Sequence, residues 1–113
     1  MKRNFRLTHT NDFARAKSEG QSVKNKLAVL LYVRNEDDFS KVAFVTSKKV
    51  GNAVVRNHVR RIMRACTSTI WSEIKTGWNL VFYARSMGSK ANYDEWMLSI
   101  KDLLKRSNLI NND

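Results

Sequence analysis

The segment "SKKVGNAVVRNHVRRIMRACTSTI", Ser47 to Ile70, gathers Arg56, Arg60, Arg61 and Arg64 without a single acidic residue among them. Its spacing predicts a long helix. Asn52, just after Gly51, is the N-cap, and at about 100° per residue Val55, Val59, Ile62, Cys66 and Ile70 fall within roughly 80° of arc. Arg56, Asn57, Arg60, Arg61 and Arg64 fan over the opposite side, with His58 on the flank beside Arg61. Like charges at i,i+4 cost a few tenths of a kcal/mol per pair in an isolated helix, so something outside the helix must compensate.

Around this helix, glycines at 20, 51, 77 and 88 separate periodic segments, and there is no proline. "THTNDFARAKSEG" predicts a short helix capped by Thr8 or Thr10, stopped by Gly20 and carrying Phe13 and Ala16 on one face. "LAVLLYV", Leu27 to Val33, is an unbroken apolar run expected to be a strand covered on both faces. The loop Arg34 to Asp38 leads to a second strand from Lys41 to Thr46, and the two are expected to pair as a hairpin. A short extra strand is expected around Ser22 and Val23. "WNLVFYA", Trp78 to Ala84, predicts a further strand. Asn92 and Glu95 then form a capping box before a last helix with Tyr93, Trp96, Met97, Ile100, Leu103 and Leu104 at core spacing. The fold class is α+β, helices on a small sheet.

At 113 residues the chain has the length of one domain, and 42% hydrophobic residues suffice for one modest core. We expect a single domain over 1–113, with a basic N-terminal arm at 1–7 ("MKRNFRL") and a short C-terminal tail at 108–113. With 21 Lys+Arg against 10 Asp+Glu the net charge is +11, so a polyanion is the default partner. No apolar run approaches the roughly 20 residues of a membrane span, and a lone Cys66 fits a reduced compartment. The localisation expected is cytoplasmic, with no membrane partner and no small-molecule substrate.

The residues that could perform hydrolysis are poorly assembled. A two-metal nuclease needs converging carboxylates, but the three clear strands carry none, and Glu36, Asp37 and Asp38 share one loop. His9 and His58 are the only histidines and lie on separate elements. Cys66, on the apolar stripe, reads as a small buried hydrophobe. We therefore expect no catalytic residue in the protein.

The arginine face fits phosphate better than it fits a merely solvated surface. It carries one sign only, it follows Lys48 and Lys49, and guanidinium is suited to bidentate phosphate contacts. Asn57 adds an amide able to reach a base edge, a ribose hydroxyl or a metal-bound water. Phe13, Tyr32 and Phe44 could stack on bases, although aromatics on such elements are more often core. A helix-turn-helix reader would place a second helix soon after the first, whereas a glycine and a strand follow here, and valines are poor anchors for a membrane surface. A structural ribosomal-type RNA-binding protein fits the composition equally well.

The pattern Lys48-Lys49-x-Gly51-Asn52-Ala53-Val54-x-Arg56-Asn57-x-x-Arg60-Arg61-x-x-Arg64 resembles the signature of the bacterial ribonuclease P protein subunit. The likeness extends to "RLTHTNDFARAKSEGQSV" and "NLVFYAR". It implies an α-β-β-β-α-β-α order with a left-handed crossover around the long basic helix, against the general right-handed rule. It also implies a partner RNA that removes the 5′ leader of precursor tRNA using Mg2+, while the protein binds that ribonuclease P RNA and the leader. Carried onto this chain, the RNA-binding positions are Lys48, Lys49, Asn52, Arg56, Asn57, His58, Arg60, Arg61 and Arg64. The leader cleft takes Phe13, Lys17 and Phe44. No residue is a direct metal ligand, with Asn57 reaching metal only through water. The chain departs from the pattern twice. His58 stands where an arginine usually closes the Arg-Asn-Arg triplet, a weaker and pH-dependent charge. Lys17 stands one turn after Phe13 where a second aromatic is common, which implies a cleft relying more on charge than on stacking.

Overall fold

A computed structural model describes residues 5–111; Lys2 and Arg3 of the expected basic arm, and residues 112–113 of the expected tail, lie outside the described residues. The elements are α1 (Thr10–Glu19), β1 (Gln21–Lys24), β2 (Ala28–Arg34), β3 (Lys41–Val45), α2 (Ala53–Thr69), β4 (Trp78–Ala84) and α3 (Tyr93–Arg106), the order that the resemblance implies. Short 3-10 turns at Trp71–Glu73 and Ser86–Lys90 flank β4.

The sheet order is β1-β2-β4-β3, with β3 and β4 parallel and the other pairs antiparallel. The expected hairpin between the second and third strands is therefore wrong: β4 lies between them. The reason is burial. Leu80, Val81 and Phe82 are all fully buried, so β4 needs cover on both faces and takes the centre. The half-buried β3 goes to the edge. This makes β3–α2–β4 a crossover connection between neighbouring parallel strands, which places α2 against the sheet beside its outer strand.

Two apolar layers result. On one face Val59, Met63 and Cys66 of α2, with Ile70 just after it, and Trp96, Ile100, Leu103 and Leu104 of α3 pack on Leu30, Val42, Leu80 and Phe82. On the other, Ala16 of α1 packs with Leu7, Val33 and Val81. The α2 stripe expected from sequence is displaced by part of a turn: Val55 and Ile62 are half-buried, while Met63 and Thr67 join the core. Neither Thr8 nor Thr10 caps α1; His9 occupies that position without a side-chain hydrogen bond. Tyr93 is 40% exposed rather than core, and its hydroxyl lies 3.1 Å from that of Thr69.

The segment expected as a tail is anchored instead. Leu109 and Ile110 are buried, and the Leu109 carbonyl accepts from the Lys75 N–H at 2.9 Å. At the far end of α3 the capping box forms as expected, with Asn92 Oδ1 accepting from the Glu95 N–H at 2.9 Å and Glu95 Oε1 from the Asn92 N–H at 3.0 Å.

Trp96 is the largest fully buried side chain, and its indole N–H donates to the Gly88 carbonyl at 3.1 Å. A Cβ on Gly88 would meet the Trp96 ring at 2.4 Å, so glycine is required there for close approach. Trp96→Ala is expected to lower unfolding free energy by about 3–5 kcal/mol, read from denaturant melts. A loss under about 1 kcal/mol would mean that the ring does not hold α3 to the sheet.

Candidate RNA interface

The basic helix begins as its sequence requires. Asn52 Oδ1 accepts from the Val55 N–H at 3.0 Å, and Gly51 has φ 153°, with a Cβ there meeting Val55 at 2.9 Å. Immediately before it, Ser47 Oγ accepts from the Lys49 N–H at 3.3 Å, and the buried Val50 pins the turn. Lys48 and Lys49 are left exposed ahead of the helix N-terminus.

The basic positions divide into two sets. Asn57, His58 and Arg61 are exposed and project outward, so His58 does not serve as a packing residue. Arg56, Arg60 and Arg64 are partly buried. Arg60 donates to Thr46 Oγ1 at the end of β3 and to Asn57 Oδ1, so its guanidinium is held by two neutral acceptors. Asn57 thus positions an arginine with its oxygen, and no hydrogen bond among the described residues engages its amide N–H groups. Arg64 places its guanidinium carbon 5.8 Å from the Phe44 ring centroid, and Phe44 in turn stacks on Phe82 at 5.8 Å. Burial first, then the neighbouring Arg6 and Arg60 charges, push Arg64 below the ordinary arginine value. An approaching anion relieves that strain.

Among the described residues none of these guanidiniums has a carboxylate partner. The ion pairs among the described residues are Arg15–Glu19, Lys41–Asp37 and Arg106–Asp102, all elsewhere. The repulsion visible in the sequence is therefore left uncompensated within the described chain.

At the outer edge of β3, Arg6, Leu7, Thr8, Phe13, Phe44 and Arg64 surround a hollow. The Leu7 N–H donates to the Val42 carbonyl at 3.0 Å, so the end of the arm continues the sheet by one bridge. Phe13 and Phe44 reach this hollow from opposite sides: Phe13 belongs with the α1 layer, Phe44 with the α2 layer. Lys17 is exposed on α1 and does not line the hollow. Tyr32 is core, with its hydroxyl donating to Gln21 at 2.9 Å. Arg6 is absent from the residues expected from sequence. The signal lies in the basic arm itself, but only the pairing of Leu7 with β3 brings it beside Arg64.

Metal and nucleophile chemistry finds little to work with. Among the described residues no three His, Cys, Asp or Glu side chains converge. Burial, with a smaller contribution from Asp94, raises the Cys66 thiol to about 11, so it stays protonated near neutrality. Among the described residues no helix is long and apolar enough to cross a membrane.

An α+β sandwich whose arginine face has no carboxylate partner among the described residues, beside an edge-strand hollow that Arg6 and Arg64 line, has the features of a small RNA-binding protein. Comparison with known proteins narrows this. The ribonuclease P family model matches residues 1–108. The chain is 39% identical to the ribonuclease P protein component of Clostridium novyi, covering 98% of this chain and 100% of that one. It is 38% identical to that of Clostridioides difficile over 91% of each. Among solved structures, the Staphylococcus aureus RNase P protein superimposes with a TM-score of 0.87 at 29% identity, over 95% of this chain and 98% of that one. The Thermotoga maritima protein gives 0.82 at 28%, over 89% and 96%. The chain belongs to the ribonuclease P protein family: it is a protein component of that endoribonuclease ribonucleoprotein, with ribonuclease P RNA as its partner. The ribosomal-type reading is not favoured.

Proposed function

We propose that this chain holds ribonuclease P RNA through the outward face of α2 and receives the single-stranded 5′ leader of precursor tRNA beside α1, assisting Mg2+-dependent removal of that leader in the cytoplasm. The observation that carries this is the set Arg56, Arg60, Arg61 and Arg64, left without a carboxylate partner among the described residues. Phosphate oxygens supply the missing counter-charge. Arg61, Asn57, His58, Lys48 and Lys49 are exposed and available to a structured RNA, while Arg64 and Arg6 face the hollow where a second strand can run.

Magnesium belongs in this reading to the RNA, whose phosphates carry the charge density that a hard cation requires. Among the described residues no three His, Cys, Asp or Glu side chains come together to hold a metal. Asn57 Oδ1 already accepts from Arg60, which leaves that amide at most a contact through a metal-bound water. The protein's work is to neutralise, orient and retain, so that an entropically costly encounter becomes a positioned one.

The test is the affinity of the reconstituted holoenzyme for precursor tRNA with and without a 5′ leader. Tighter binding of the leader-bearing substrate, by more than the RNA subunit alone achieves, is expected. Equal affinities would remove the leader from the protein's role.

A further inference from the structure

The sheet face beneath α1 is only partly covered. α1 lies over the rows Val33–Asn79–Lys41 and Leu31–Val81–Ala43, where Ala16, Val33 and Val81 are buried. The next row, Val29–Tyr83–Val45, is half-exposed throughout, and the register of β1 extends it to the exposed Lys24. Directly paired residues point to one face, so these four side chains share the open part of the floor.

The orientation of α1 decides what overhangs them. Asp12 and Arg15 border the polar recess formed with Asn35 and Asn79, at the opposite end of the sheet. With Ala16 at the contact and about 100° per residue, Phe13 and Lys17 fall on the other flank of the helix. That flank leans over the Tyr83 row. Tyr83 is the one aromatic in the row, and no hydrogen bond engages its hydroxyl among the described residues, whereas the hydroxyls of Tyr32 and Tyr93 are both partnered.

We infer that Tyr83 is the platform on which one base of the single-stranded leader stacks, with Lys17 of α1 and Lys24 at the β1 end of the row taking neighbouring phosphates. This rests on the leader-binding reading above. A half-buried aromatic ring on an otherwise aliphatic floor, with exposed lysines on the helix above and at the β1 end of the row, matches the way proteins hold unpaired nucleotides, by π-stacking and phosphate contact. An apolar protein segment would gain from Val29 and Val45 but not from the two lysines. The aromatic that Lys17 displaces from α1 is thus supplied by β4, across the cleft.

The experiment uses holoenzyme reconstituted with ribonuclease P RNA and measures the ratio of affinities for leader-bearing and leaderless substrate. Tyr83→Leu, which keeps an apolar side chain on the floor, is expected to lower that ratio about tenfold, and Tyr83→Phe to restore it. A purely structural role would move the melting temperature of Tyr83→Leu without moving the ratio. In parallel, 2-aminopurine is stepped along the leader, and one position should be quenched on the wild-type chain and on Tyr83→Phe but not on Tyr83→Leu. If the wild-type ratio is one, the leader-binding reading itself fails. If the wild-type ratio is large but unchanged in Tyr83→Leu, or no position is quenched on the wild type, the assignment of Tyr83 is overturned.

Discussion

Incubated alone with precursor tRNA and magnesium, the protein is expected to leave the substrate intact, and cleavage is expected to appear when ribonuclease P RNA is added. Activating water for phosphodiester attack calls for a metal held by several hard ligands or for an acid and a base on either side of the phosphorus. The described residues bring no such group together. His9 precedes α1 and His58 projects from α2, both exposed and on separate layers of the fold. Two of the acids are already engaged: Asp37 pairs with Lys41 at 3.2 Å and Glu19 with Arg15 at 2.8 Å. At low magnesium, where the RNA is short of counterions, the protein's cations should matter most, and its addition should raise the cleavage rate. Steady cleavage by RNA-free protein, abolished by replacing one carboxylate, would overturn this expectation.

Salt should weaken RNA binding by orders of magnitude. If the α2 face and the cations of the hollow meet about six or more phosphates, log affinity should fall with log salt at about 0.7–0.9 per contact, a loss of roughly a thousandfold or more between 50 and 200 mM. Arg60 is the most sensitive position, because Thr46 and Asn57 hold its guanidinium in place before the RNA arrives. His58→Arg should steepen the slope by about one contact and tighten binding near neutral pH, since the exposed His58 site can present a permanent charge to the same RNA surface. Filter binding of ribonuclease P RNA over a salt series measures both slopes. A flat dependence would reduce the arginine face to a solubilising surface.

Much of the interface is legible in the amino-acid sequence. The i,i+4 arginine spacing, the Asn52 cap and the absence of acids from Ser47 to Ile70 together specify a cationic helix face, and the resemblance names the RNA that meets it. The cleft is harder to see. Phe44 reads as a partner for Phe13, yet alternation along β3 sends its ring to the α2 layer, where it stacks on Phe82 and carries Arg64. Arg6 and Tyr83 cannot be found from spacing at all. Arg6 depends on its own bridge to Val42, held by the Leu7 N–H on the Val42 carbonyl, and Tyr83 on the position of its strand in the sheet.

Local chemistry determined the elements. Period and capping place α2 and α3, Gly20 ends α1, and the apolar runs from Ala28 and from Trp78 become strands whatever their partners. Strand order is a different kind of quantity. A hairpin between β2 and β3 satisfies the same hydrogen bonds and turn chemistry as the observed sheet, so nothing in either segment rejects it. The choice falls to β4, whose Leu80, Val81 and Phe82 can be covered on both faces only at the centre, between β2 and β3, with α2 and α3 on one side and α1 on the other. That placement sets Tyr83 between Val29 and Val45, leaves the outer edge of β3 to Leu7, and turns Arg64 toward the hollow. Burial of a surface shared by distant segments decides it, and that free energy exists only once the segments have met.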